Sequence, residues 1–129
     1  MGANFTWEWL RAQEAKRKPK GETTPVMPPD ATLVEQELHN QIIGHCKSNA
    51  WIYFHGSMAH STFRTVGEPD FVILGRDGKF LMIECKTKTG KLSPEQIAMG
   101  AWAESLGHKI HVVRSFSQYL EICHGAGIK

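Results

Sequence analysis

Two short apolar segments of the sequence end in charged residues, which is unusual for strands that are to be buried. Asp70 stands directly before the segment Phe71 to Leu74, and Glu84 and Lys86 close the segment that begins at Phe80. A buried carboxylate without a partner is costly, and two carboxylates brought together repel each other. A hard divalent cation would remove that repulsion, polarise a phosphoryl oxygen and lower the pKa of an attacking water. The pattern therefore indicates metal-assisted hydrolysis of a phosphate ester.

The turn between the two segments decides whether these charges meet. A two-residue turn would pair Asp70 with Cys85 and would put the two acids on opposite faces of the sheet. A three-residue loop that ends in a left-handed Gly78 would pair Asp70 with Glu84, as would a bulge in the first strand. Because such loops are common in hairpins, we expect Asp70, Glu84 and Lys86 to converge at one end of the sheet.

Lys86 and Cys85 have further roles in this interpretation. The lysine would orient the attacking water or stabilise charge on the phosphate. The Cys85 side chain would belong to the core, and its backbone carbonyl would be free to act as an additional metal ligand. The alternative is a simple ion pair between Lys86 and one of the acids at a sheet edge, which contributes little to stability.

The remaining elements predict the scaffold that holds these residues. "ATLVEQELHNQIIGHC" places Val34, Leu38, Ile42 and Cys46 on one helical stripe. "WIYFH" is a strand, Ser93 caps a helix that stops at Gly107, "KIHVVRS" is a fourth strand, and "SFSQYLEIC" is a last helix. The long helix between the third and fourth strands predicts that these two strands are parallel. We expect an α/β fold, a mixed four-stranded sheet flanked by helices.

Length and composition set limits on the class of protein. The 129 residues fit one compact domain over residues 30–129, preceded by an extension over 1–29 that has a short helix in 5–18 and a proline-rich linker. Three cysteines without a CxxC pair argue against a disulfide framework or a zinc site and indicate a reducing, cytoplasmic setting. No apolar stretch approaches the length of a membrane span. The net charge of +2 permits a nucleic-acid partner without requiring one.

At the charged strand ends the sequence resembles the PD-(D/E)xK nuclease superfamily and, within it, the VRR-NUC family. The family pattern reads G-x-PD, E-x-K and G-x-L-S-x-x-Q, and its counterparts here are Gly67, Pro69-Asp70, Glu84-Cys85-Lys86 and the segment Gly90 to Gln96. The similarity runs from about Thr32 to about Cys123. It implies a restriction-endonuclease-like αβββαβ core, dependence on Mg²⁺ or Mn²⁺, and hydrolysis of phosphodiester bonds.

The resemblance also implies roles for individual residues. Asp70 and Glu84 would be metal ligands, and Lys86 would position the water. A glutamate of the first helix would complete the acidic cluster, and "EQEL" is similar to the "ExEL" start of that helix in archaeal Holliday-junction resolvases, which selects Glu35. Glu35 would be a catalytic residue that reaches the metal directly or through water.

Glu35 and Gln96 each have a structural explanation as well. Residues 32–35 form a capping-box pattern, in which Glu35 would only satisfy backbone N–H groups of the helix. We favour catalysis, because Glu35 lies three and seven positions before Leu38 and Ile42, on the side that faces the sheet. Ser93 and Gln96 form a second capping-box pattern, whereas the resemblance makes Gln96 a catalytic residue that reaches phosphate or water. Both roles of Gln96 stay open.

Three functions compete at this point. The first is a metal-dependent DNA endonuclease similar to phage or mobile-element proteins, some of which cut branched DNA such as Holliday junctions as homodimers. The second is a non-catalytic DNA-binding module that retains the nuclease fold. The third is a metal-independent RNA nuclease with His55 or His60 as general base. All expected catalytic positions are occupied, which favours the first function, and the candidate DNA contacts are His60, Arg64, Lys88 and Lys91.

Overall fold

The protein forms three helices and four strands in the part of the chain that the structure, a computed structural model, describes. This part covers residues 29–56 and 65–129, with side chains described from Val34 onward. The elements in chain order are α1 (Pro29–Ser48), β1 (Ile52–His55), β2 (Phe71–Leu74), β3 (Phe80–Cys85), α2 (Pro94–Ser105), β4 (Ile110–Val113) and α3 (Phe116–Ala126). The helix predicted in residues 5–18 and the predicted DNA contacts His60 and Arg64 lie outside the described residues.

The four strands form one mixed sheet in the order β1-β2-β3-β4. β1 pairs with β2, and β2 with β3, in antiparallel orientation, whereas β3 and β4 are parallel and are joined by α2. This order and these directions confirm the predicted αβββαβ core with its mixed four-stranded sheet.

One face of the sheet and the helices α1 and α3 enclose the core. Alternate residues of β3 point into it. The largest fully buried side chains come from both helices and from β2, β3 and β4. They are Ile42, Cys46, Phe71, Ile73, Ile83, Cys85, Val113 and Tyr119. All three cysteines are buried free thiols. The opposite face of β3 carries Glu84, whose side chain points toward α2.

The start of α1 differs from its prediction in two respects. The helix begins at Pro29, so Thr32 lies within it and cannot be the N-cap of the proposed capping box. Val34, predicted on the buried stripe, is 52% exposed, whereas Leu38 and Ile42 are buried. Glu35 follows Val34 by one residue, which is about 100° further round the helix, and it is Glu35 that faces the strands. The capping explanation of Glu35 and the burial of Val34 are therefore wrong.

The β2–β3 hairpin has the register of the three-residue loop. Phe71 pairs with Ile83 and Leu74 with Phe80, and the Gly75 N–H donates to the Lys79 carbonyl over 2.9 Å. The residues between them turn with positive φ at Asp77 (59°) and Gly78 (73°). One step beyond Phe71 and Ile83, this register sets Asp70 opposite Glu84, as predicted.

Gly67 holds the start of β2 against the first turn of α2. Its φ is +80°, a backbone conformation that disfavours any side chain. A Cβ built on Gly67 would also lie 2.5 Å from the carbonyl oxygen of Glu95. The glycine of the G-x-PD pattern therefore has a packing reason that is independent of catalysis.

Replacing Gly67 by alanine should lower the free energy of unfolding by more than the backbone penalty of about 1–2 kcal/mol, because a clash with a helix carbonyl is added. Gly78→Ala is the matched control, since Gly78 has a similar positive φ but nothing within 4 Å of its added Cβ. Urea unfolding of both variants measures the difference. If both variants lose the same free energy of unfolding, the close contact between residue 67 and the Glu95 carbonyl does not contribute to the loss.

Candidate active site

Asp70 and Glu84 meet at the end of the β2–β3 hairpin. Asp70 directly precedes β2, and the Cys85 backbone N–H donates to its Oδ2 over 2.8 Å, so a carboxylate takes the place of a strand partner. The side chains of Asp70 and Glu84 are only 10% and 5% exposed. The hairpin thus brings two carboxyl groups together with little water between them.

The surroundings of Glu84 neutralise its charge only in part. Its Oε1 accepts a hydrogen bond of 2.7 Å from the Gln96 side-chain amide and lies 3.9 Å from the Lys86 ammonium nitrogen. Its Oε2 is buried and has no hydrogen-bond partner in the described part of the chain. Burial raises the pKa of Glu84, and Asp70 raises it further, while Lys86 opposes both. The pair therefore requires a shared proton or a cation.

Glu35 of α1 faces the same cluster. Burial raises its pKa, the charge of Asp70 adds to the rise, and Lys86 and His39 lower it. A capping glutamate at the start of a helix would instead interact with backbone N–H groups. The structure brings Glu35, Asp70, Glu84 and Lys86 together, which is the arrangement that the sequence predicts.

Gln96 completes the predicted capping box and also contacts Glu84, whereas its catalytic contact with phosphate or water stays a prediction. Its side-chain oxygen accepts from the Ser93 N–H over 2.9 Å, and its own N–H donates to the Ser93 hydroxyl over 3.2 Å, which completes the capping box of α2. The amide nitrogen of the same side chain donates to Glu84. The cap of α2 and the orientation of Glu84 therefore depend on one side chain.

His39 is a site residue that the sequence reasoning missed. It lies on α1 one turn after Glu35, is 7% exposed, and places its Nε2 3.6 Å from Asp70 Oδ2. Its Nδ1 lies 3.0 Å from Nε2 of His55 on β1, so His55 supports His39. The spacing of four residues from Glu35 puts both on one helical face and was the signal available in the sequence.

The loop after β3 presents the lysines and is tied down by Arg114, a second residue that the sequence reasoning missed. The Nη1 group of Arg114 donates to two carbonyl oxygens, that of Thr87 over 2.7 Å and that of Gly90 over 2.6 Å. Lys88 and Lys91 are exposed in and beside this loop. No sequence pattern identifies such a contact, since its acceptors are backbone groups.

The donor groups at the site suit a hard divalent cation. Three carboxyl groups offer the oxygen ligands that Mg²⁺ and Mn²⁺ accept, and the buried Glu84 Oε2 is not engaged by any described hydrogen-bond donor. His39, Asp70 and Cys85 also have ligand atoms within 4.8 Å of one another. Burial raises the pKa of the Cys85 thiol, and the neighbouring carboxylates raise it further, so it remains a protonated core side chain. Ligation by the Cys85 backbone carbonyl stays a prediction.

Comparison with known proteins identifies the fold. No protein-family model and no curated protein matches the sequence. A solved structure described as a VRR_NUC domain matches with a TM-score of 0.59 at 20% identity, over 70% of this chain and 95% of that chain. The protein has the VRR_NUC fold. This match in fold agrees with the resemblance that the G-x-PD and E-x-K residues carry.

None of the described helices is suited to crossing a membrane. Among residues 29–56 and 65–129, no helix combines the length and the apolar character that crossing a bilayer requires.

The shifted pKa of Glu84 predicts how the stability of the metal-free protein depends on pH. The pKa rises from 4.5 to about 8 in the folded state, so between these values the folded protein holds a proton that the unfolded chain releases. The free energy of unfolding should therefore fall as the pH rises through this range, by at most about 1.4 kcal/mol per pH unit for one proton. Urea unfolding in chelator at several pH values measures this slope.

Two variants and one ligand test the origin of that slope. Glu84→Gln should flatten it, whereas Glu121→Gln, on the exposed surface of α3, should leave it unchanged. Saturating Mg²⁺ or Mn²⁺ should abolish it, because the bound cation displaces the proton and leaves Glu84 deprotonated in the folded state as in the unfolded chain. A slope that neither Glu84→Gln nor the cation alters would contradict the assignment to this cluster.

Proposed function

We propose that the protein is a divalent-metal-dependent endonuclease of the VRR-NUC type that hydrolyses phosphodiester bonds in DNA. The observation that carries the proposal is the buried pair Asp70 and Glu84, set opposite each other by the hairpin register with Lys86 beside them. Mg²⁺ or Mn²⁺ is the proposed cofactor, residues 30–129 the nuclease domain, and residues 1–29 an extension.

Each residue of the cluster has a role in the proposed reaction. Asp70 and Glu84 would hold the metal, and Glu35 would complete its ligands directly or through water. When bound, the cation would polarise a phosphoryl oxygen and lower the pKa of the attacking water. Lys86 would orient that water and offset charge on the phosphate as the bond to the leaving oxygen breaks. Gln96 would fix the Glu84 carboxylate in the orientation needed for ligation.

The proposed substrate is DNA with a branched structure, such as a four-way junction, bound by a homodimer. Lys88 and Lys91 extend from the loop after Lys86 and would contact phosphates next to the scissile bond. A two-fold dimer would present two active sites to a two-fold junction. The proposed setting is a phage or mobile-element protein that acts in the cytoplasm, in keeping with its three free cysteines.

Cleavage of labelled four-way junction, linear duplex and single-stranded DNA tests the activity. Asp70→Asn and Lys86→Ala should each lower the rate about a hundredfold or more, because each removes a group that acts on the reacting phosphate or water. Chelator should abolish cutting by the wild type. The matched controls are Asp77→Asn and Lys79→Ala, which alter the same residue types in the turn at the other end of the hairpin and should retain activity.

The substrates and controls separate the alternatives. Faster cutting of the junction than of the duplex would support selectivity for branched DNA. Cutting of a labelled single-stranded RNA that persists in chelator would favour the metal-independent RNA nuclease. Binding of all three DNAs without any cutting would favour the non-catalytic module.

The salt dependence of DNA binding tests the role of the exposed lysines. In the Asp70→Asn background, Lys88→Ala and Lys91→Ala should each reduce the slope of log affinity against log salt concentration by about 0.9 for one lost phosphate contact. Fluorescence anisotropy at several salt concentrations measures this slope. Lys109→Ala, which alters a lysine directly before β4, is the control, and an unchanged slope in all three would remove these lysines from the interface.

A further inference from the structure

We propose that Nε2 of His39 is a nitrogen ligand of the metal at this site, and that it makes the site select Mn²⁺ and related transition ions over Mg²⁺. The inference rests on the metal site of the proposed function and adds a donor that the E-x-K and PD residues do not include. A site of carboxylates alone would accept any hard divalent cation, whereas the added nitrogen ligand predicts a preference for transition ions.

The first support is an unpartnered nitrogen in a buried position. Among the residues that the structure describes, His39 Nε2 has no hydrogen-bond partner, and its side chain is only 10% exposed. The nearest charged atom is Asp70 Oδ2 at 3.6 Å, beyond a good hydrogen bond. Two donors that share one ion at about 2.0–2.2 Å lie roughly 3–3.5 Å apart, so this separation is close to that of a ligand pair.

The second support is the contact on the other ring nitrogen. Metal-binding histidines donate their second N–H to an acceptor, which fixes the tautomer and the ring orientation. Nδ1 of His39 lies 3.0 Å from His55 Nε2, and donation from His39 leaves its Nε2 lone pair free for the metal. The His39 ring also packs edge-on against Phe71, with centroids 5.3 Å apart. The ring is therefore oriented before any metal binds.

The third support is the composition of the cluster. Glu35 and His39 lie one turn apart on α1, and both interact electrostatically with Asp70, so imidazole and carboxylate groups share the cluster. Mg²⁺ prefers oxygen ligands throughout, whereas transition ions accept imidazole alongside carboxylates. One nitrogen among the oxygens thus favours transition ions.

The test is pulsed electron paramagnetic resonance of the full-length protein loaded with Mn²⁺ and labelled with ¹⁵N at histidine alone. The wild type should show coupling from one directly bound imidazole nitrogen. His39→Gln should abolish this coupling and weaken Mn²⁺ binding about tenfold or more, measured by calorimetry, with a smaller effect on Mg²⁺. His108→Gln, which removes an exposed histidine, should change neither quantity.

The outcomes distinguish this inference from the proposed function. Mn²⁺ binding without histidine coupling in the wild type would overturn the inference and leave a nuclease with oxygen ligands. Coupling that survives in His39→Gln would overturn it as well. Should His39→Gln not fold, coupling that persists in both His60→Gln and His111→Gln supports His39, and its loss in either contradicts the assignment. Absence of any Mn²⁺ or Mg²⁺ binding would overturn the proposed function itself.

Discussion

Repulsion between the buried carboxyl groups of Asp70 and Glu84 is the constraint on which this end of the molecule depends. The hairpin register places them opposite each other, and the sheet offers no freedom to separate them. The Cys85 N–H, the Gln96 amide and the Lys86 ammonium each offset part of the negative charge. Burial and the remaining charge of Asp70 together raise the pKa of Glu84, and a cation bound between the two groups would stabilise the folded state.

Residues that build the fold also support the proposed site. Gln96 caps α2 with its oxygen and holds Glu84 with its nitrogen, so the helix and the acid are oriented together. Gly67 lets the chain before Asp70 pass close to the first turn of α2. Arg114 ties the loop that follows Lys86 to the end of β4. A site built on strand ends and helix termini in this way is held rigid before any ligand binds.

The features that depend on residues close together in the sequence could be predicted. Those that depend on packing between distant elements could not. The hairpin register followed from a glycine suited to a left-handed turn, and the cap of α2 from Ser93 and Gln96. The exposure of Val34 could not be predicted, because it depends on where α1 extends beyond the sheet. His39 was missed because its spacing from Glu35 indicates only a shared helical face, and the contact of that face with Asp70 depends on how α1 packs against the sheet.

The most direct test of the central claim is a crystal structure of the protein grown with Mn²⁺, with anomalous scattering used to locate the ion. The account predicts an anomalous peak between Asp70 and Glu84, within ligand distance of both carboxylates and on the side that His39 faces. Its appearance there would show that the acidic pair exists to bind a cation. An ordered site without a peak at saturating Mn²⁺, with the two carboxyl groups hydrogen-bonded through a shared proton, would contradict the account.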